Sequence, residues 1–315
     1  MKRSIFILIS HLLLISTLFF SCEKKNTDNA DLVRYNDEVF DTYTVMSDIV
    51  YDSNYTQSGI LQNLKLDIYS PENDTIENRP VIIYAHSGGF TDGDKAEANR
   101  FAPFFVKSGY VVASINYRLV DVEQTQQVFS HAVLDAVADM RSAVRYLKQQ
   151  SQSIGIDTNK IFIGGYSAGA FTALHSAYTN SMADVAILGG DDLVLYVNSR
   201  GGLDGGGSNP GCVFSFKGAY SFAGAIGSID IINPGESILC CFHGSKDMIV
   251  PVDSGNVTGV GAGTYVYGSQ SIHNKLTEVG ILNEFYLVDG ASHSSLAECD
   301  DCPEKLRQFI FDNLE

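Results

Sequence analysis

The sequence predicts an α/β fold built on a mostly parallel central sheet, with helices on both faces. Three observations carry this prediction. "RPVIIYAHSGGF", "YVVASINYRL" and "KIFIGGYS" are near-continuous apolar runs, the pattern of strands buried on both faces. Helix-like runs alternate with them. In the clearest, "HAVLDAVADMRSAVRYLKQQSQSIG", Val133, Ala136, Val137, Met140, Val144 and Leu147 keep the spacing of one helix face. Finally, 315 residues at 45% hydrophobic and 18% charged can bury a large core.

The elements follow in order. "MKR" is a positive start, and "SIFILISHLLLISTLFF" is an apolar run too short to span a membrane. Residues 1–21 therefore read as a signal peptide. The small residue plus cysteine that ends it resembles a bacterial lipoprotein signal, which would make Cys22 the lipidated first residue of the mature chain. A simple secretory signal cut nearby is the alternative. The resemblance implies export to the bacterial envelope, on the periplasmic or outer-membrane face, and otherwise secretion. Residues 22–42 are polar and short of apolar pattern, as expected of a tether. "TVMSDIVY" and "LKLDIYS" alternate like half-exposed antiparallel strands. "KAEANRFAPFFVKSG" has helical spacing between the first two buried strands. "AGAFTALHSAY" reads as a helix after the third. "VFSFKGAYSFAGA", "SILCCFHGS" and "EFYLVDGASH" give three further strands. "YGSQSIHNKLTEVG" is a helix between the last two, and "PEKLRQFIFDNL" closes the chain as a helix. No repeat or linker divides 43–315, so a single domain is expected over those residues. Within it, 180–212 is the least regular part. Its glycines argue against a long helix and for an irregular insertion that borders a site or forms a solvent loop.

The chain carries 37 acidic against 21 basic residues, a formal net charge of −16. Such a surface disfavours nucleic acid and anionic membranes as partners. Export permits disulfides, and five cysteines remain beyond Cys22: Cys212, Cys240, Cys241, Cys299 and Cys302. Cys240 and Cys241 are adjacent in a strand and so face opposite ways. "CDDC" at 299–302 lacks the second ligand pair that a zinc site needs. A local staple at the start of the last helix is the favoured reading.

Gly165-Tyr166-Ser167-Ala168-Gly169 lies between a buried strand and a helix, with a glycine two residues to either side of the serine. This is the pattern of a nucleophile elbow. A turn that tight strains the serine backbone and leaves no room for side chains at ±2. It also presents the serine Oγ at a helix N-terminus, where the Ala168 N–H can donate to a developing oxyanion. A glycine-rich turn with a bystander serine would need no partners; a nucleophile needs an oxyanion hole, a base and an acid. "YAHSGGF" supplies candidates for the first in the N–H groups of Gly88 and Gly89.

With that loop, a resemblance becomes explicit. "HSGGF", "INYRL", "DAVADMRSAVRYL", "GIDTNKIFIGGYSAGA", "HGSKDMIVP" and "GASHS" occur in the order found in α/β-hydrolase serine esterases and lipases. The chain resembles the HGGG-type carboxylesterases and the hormone-sensitive-lipase-like enzymes from about residue 60 onward. Ser87 stands where the family commonly has glycine, Tyr166 where many members have an acid, and Ala170 where a glycine is frequent. Residues 23–60 are too short and too strand-like for the helical cap that the family often carries, which implies a minimal cap or none and a more open site.

Of seven histidines, His293 alone combines a small-residue loop with a place after both the elbow and a candidate acid. His11 lies in the signal, His86 in the oxyanion loop, and His131, His175 and His273 on helices. His243 ends a strand and reads as structural. For the acid, Asp247 follows a buried strand in a short loop and matches the family pattern; Asp230 is the runner-up, and Asp191 and Asp192 fall in the irregular insertion. The resemblance implies an ester hydrolase acting through an acyl-enzyme on Ser167, with His293 as base and Asp247 as acid, and needing no metal or organic cofactor. Its substrate would be a small-molecule ester or an acetylated or feruloylated carbohydrate. The alternatives are a serine peptidase of the same fold and a non-catalytic hydrolase-like binding protein.

Overall fold

The computed structural model describes residues 33–315 apart from 208, 210, 211, 260 and 262. The expected signal peptide over residues 1–21 and the expected lipidation site Cys22 lie outside the described residues. Residues 33–42, expected to be tether, instead dock on the body. Arg34 pairs with Asp74 at 2.5 Å, and the Tyr35 and Val39 N–H groups donate to the carbonyls of Ser108 and Lys107.

The chain then runs through two long strands, β1 (Tyr43–Tyr55) and β2 (Leu61–Pro71), paired antiparallel. β3 (Arg79–Ala85) is wholly buried, as its apolar run requires. The helix expected next is reduced to a 3-10 turn at Lys95–Arg100 and the five-residue α1 (Ala102–Val106). Pro103 at the start of α1 suits the first turn of a helix but could not continue an earlier one. β4 (Val111–Ile115) leads to α2 (Gln126–Gln149), whose N-cap Thr125 accepts from the Val128 N–H. The short α3 (Ser151–Ile154) ends on left-handed Gly155 and enters β5 (Ile156–Tyr166). α4 (Ala168–Tyr178) follows after a single residue, Ser167.

The segment 180–212 departs from expectation. It contains α5 (Met182–Ser199), opened by a capping box between Ser181 and Asp184. The glycines do interrupt it: Gly189 and Gly190 have non-helical backbone angles, so two helical pieces meet at a kink. Strands β6 (Gly218–Phe222), β7 (Ala225–Ile226) and β8 (Ile238–Gly244) come next. The short β9 (Ser254–Asn256) and β10 (Tyr265–Gly268) join β7 in a small antiparallel sheet. α6 (Ser269–Glu278), β11 (Asn283–Val288) and α7 (Cys302–Asp312) complete the chain. A Cys299–Cys302 disulfide stands at the head of α7.

The main sheet has the order β1-β2-β4-β3-β5-β6-β8-β11, and from β4 onward every neighbour is parallel. Alternate residues of each strand feed two cores. Val81 and Ile83 of β3 pack with α2 and α4 on one face; Ile82 and Tyr84 pack with α1 and α7 on the other. Cys241 and Cys240 divide between the same two cores, both buried and unpaired. Arg118, just after β4, ties the first layer together. Its guanidinium lies 2.8 Å from Asp139 of α2, both side chains are almost fully enclosed, and it also donates to the Tyr55 and Asp135 carbonyls. An enclosed arginine needs such a partner, because an unpaired buried charge is costly.

Candidate active site

Four loops leave the carboxyl ends of β3, β5, β8 and β11 and meet at one edge of the sheet. The β5–α4 turn is the tightest. Ser167 has φ 53° and ψ −116°, a conformation that normally requires glycine. A Cβ at Gly165 would lie 2.3 Å from the Ala85 carbonyl oxygen of β3, and one at Gly169 only 2.0 Å from it. Both glycines are thus demanded by the passage of β3 beside the turn. The Ser167 N–H donates to the Phe222 carbonyl, which secures the strained residue to β6.

His293 comes from the loop after β11. Its Nε2 lies 2.9 Å from the Ser167 Oγ, and its Nδ1 lies 2.6 Å from an Asp247 carboxylate oxygen. The other Asp247 oxygen accepts from the Ile249 and Val250 N–H groups at 2.8 and 2.9 Å. Burial pushes the Asp247 pKa up, but hydrogen bonds from His243, His293 and the Val250 amide outweigh it and hold the carboxyl well below the usual carboxylate range. The two loops approach closely: Lys246 N–H donates to the Ala291 carbonyl, and a Cβ on Gly244 would meet that same oxygen at 2.4 Å. His243 stands behind Asp247, fully buried, with its ring nitrogens on Ser269 Oγ and the Val250 carbonyl. Asp230 lies exposed on a separate 3-10 turn, and Asp191 and Asp192 are exposed on α5.

The β3 loop supplies the opposite wall. Gly88 has φ +107°, and a Cβ there would strike the Asp92 carbonyl oxygen at 2.0 Å. The N–H groups of Gly88 and Gly89 have no acceptor among the described residues. His86 braces this turn: its Nδ1 lies 2.7 Å from the Ser87 carbonyl, and its ring stacks on Tyr117 at 4.3 Å. Gly88, Gly89, Ala168, Ser167 and His293 all line one cavity of about 610 Å³, whose remaining walls are mainly apolar.

Two supporting contacts were not legible in the sequence. Glu97 accepts from the Ser87 N–H at 3.2 Å, the Ser87 hydroxyl at 2.8 Å and the Tyr84 phenol at 2.5 Å, so a carboxylate anchors the loop at the unusual serine. Nothing marks Glu97 in its helix-like run. Tyr166 donates its phenolic proton to the His293 carbonyl. Its place beside the elbow was visible, but this partner, 127 residues away, was not.

Similar proteins support this architecture. A truncated carbohydrate esterase from gut microbiota superposes with TM-score 0.60 at 17% identity, covering 86% of this chain and 96% of that one. The Thermogutta terrifontis esterase Est2 superposes with TM-score 0.54 at 19% identity, covering 85% and 90%. This chain has an α/β-hydrolase fold. Within that hydrolase fold, residues 66–193 match the BD-FAE family model. Gut esterase 1 of Caenorhabditis briggsae is 32% identical over 136 residues, which are 40% of this chain and 23% of that protein. The chain thus spans about a quarter of the length of the curated relatives it matches first.

Proposed function

We propose that this protein is a serine carboxylesterase, with Ser167 as nucleophile, His293 as general base and Asp247 as the acid that orients it. The observation that carries the reading is the unbroken hydrogen-bonded series from Ser167 Oγ through His293 to Asp247, at 2.9 and 2.6 Å, opening into the 610 Å³ cavity. Esterase relatives and the BD-FAE match support the same reaction class.

The chemistry follows from the positions. Ser167 Oγ attacks the ester carbonyl carbon as His293 Nε2 takes the hydroxyl proton. The carbonyl oxygen gains the negative charge and is held by the N–H groups of Gly88, Gly89 and Ala168. Collapse breaks the bond to the alcohol oxygen, which receives the proton from His293. Water, deprotonated by the same nitrogen, then attacks the acyl-enzyme and releases the acid and Ser167. Asp247, held as a carboxylate by its hydrogen bonds, keeps the proton of neutral His293 on Nδ1 and stabilises the imidazolium.

The substrate in this reading is an acylated carbohydrate, acetylated or feruloylated, and the enzyme acts at the envelope on a lipid anchor at Cys22. Labelling with a fluorophosphonate probe tests the nucleophile: wild type should label and Ser167→Ala should not. Absence of labelling under conditions that label known serine esterases would overturn the reading. Palmitate incorporation that disappears in Cys22→Ala tests the anchor.

A further inference from the structure

His243 is fully buried and lines no part of the cavity in front of Ser167. Resting on the esterase reading, we infer that His243 is a positioning residue for the reaction: a second histidine on the same Asp247 oxygen as His293, whose Nε2–H holds that oxygen in place for the base.

The acceptors fix the proton. Nε2 of His243 lies 3.1 Å from the Val250 carbonyl and 3.4 Å from Asp247 Oδ2, the oxygen that His293 Nδ1 meets at 2.6 Å. A carbonyl and a carboxylate can only accept, so Nε2 carries a proton and shares it between them. Nδ1 lies 2.8 Å from Ser269 Oγ, whose hydroxyl can donate to it or accept from it. Both ring nitrogens are thereby occupied, and the ring has one orientation.

The N–H matters for what it separates. Without it, the Val250 carbonyl and Asp247 Oδ2 would face each other as two negative oxygens. The His243 and Asp247 side chains have no exposed surface, so solvent cannot replace the lost donor. Oδ1 is pinned by the Ile249 and Val250 N–H groups. Among the described residues Oδ2 is held by the two histidines alone, so it is the end that would swing. Swinging away from Val250 takes it out of line with His293 Nδ1.

Rigid elements deliver the parts. His243 lies in β8, paired with Leu287 of β11, and Ser269 opens α6. The acid loop leaves β8 and the base loop leaves β11. His243 thus ties the contact between two loops to the sheet behind them.

The test measures kcat and KM on p-nitrophenyl acetate for His243→Leu, His243→Gln and Ser269→Ala, each alone and with Asp247→Asn. His243→Leu removes the N–H and should lower kcat by about 10–100-fold at unchanged KM, the effect of displacing a catalytic group by about 1 Å. Glutamine keeps an N–H for the two oxygens and a carbonyl for Ser269, and should recover most of that loss. Beside Asp247→Asn, His243→Leu should cost nothing further, because its effect runs through the carboxylate. Ser269→Ala changes one hydroxyl and should give a smaller kcat loss that also vanishes beside Asp247→Asn; it decides the matter if the leucine variant does not fold. Losses that multiply in the double variants, or that fall on KM, overturn the inference, as does an unchanged kcat. A wild type that hydrolyses no p-nitrophenyl ester overturns the esterase reading itself, so the two failures are distinct.

Discussion

Ser167 should be destabilising where it stands, and the sign of one comparison reveals it. Replace Ser167 with glycine and, separately, with alanine. At φ 53° and ψ −116° any residue with a Cβ is strained by about 1–3 kcal/mol. Alanine keeps the Cβ and the strain; glycine removes both. Glycine also gains freedom in the unfolded chain, which costs about 0.4–1 kcal/mol relative to alanine. Both variants lose the bond between Ser167 Oγ and His293, so that term cancels. The glycine variant should therefore be more stable than the alanine variant by about 1 kcal/mol, the reverse of the order at ordinary positions. In a body of this size that is about 2–4 °C in Tm. Calorimetry of both proteins at pH 7 measures it directly. An alanine variant that melts at or above the glycine variant would refute the claim that the turn stores strain.

Three further outcomes are expected. Asp247→Asn should lower kcat on short p-nitrophenyl esters by about 10³–10⁴-fold, as the same change does in serine proteases, while Asp230→Asn leaves it close to wild type; a large loss only in the Asp230 variant would reassign the acid. Asp139→Asn should cost about 1.5–3 kcal/mol in urea unfolding, because it removes one of two carboxylates on the enclosed Arg118 guanidinium and leaves only Asp135, at 3.3 Å. The third concerns His175, whose pKa burial depresses to about 4. Its Nδ1 faces the Phe171 carbonyl and its Nε2 accepts from the Gly227 N–H, so a second proton has no acceptor. The unfolded chain binds that proton near pH 6.5 and the folded one only near 4. The stability is thus fully present above about pH 6.5 and is lost as pH falls toward 4, by about 2–3 kcal/mol. His175→Gln should flatten the pH dependence of the urea midpoint between pH 7 and 4.5, and an unchanged slope would refute it.

What was legible in the sequence was what local chemistry dictates. The buried strands announced themselves because strands covered on both faces have no polar alternation. The elbow did so because Gly165 and Gly169 are forced by β3. The order of Ser167, Asp247 and His293 was readable, but their distances were not, since those depend on β8 and β11 lying side by side. The short β9 and β10 left no trace: "SGN" has no apolar period, and its pairing with Tyr265–Tyr267 is a matter of the surrounding chain. In α5 the reading rested on the glycines, which argued against a long helix; the fold accommodates Gly189 and Gly190 as a kink between two helical pieces. Arg34 read as tether because its partners, Asp74 and Gly109, lie far along the chain.

The contact of Ala85 with Gly165 and Gly169 has a consequence for mutation. Every replacement of glycine by another residue adds at least a Cβ, and at these two positions that atom would fall within 2.3 Å of a backbone oxygen. That oxygen belongs to a central strand and cannot move aside without parting β3 from β5. Neither glycine therefore has a tolerated neighbour in sequence space. In a deep mutational scan selected on folding alone, with no ester present, both columns should be empty, whereas the serine between them should accept glycine.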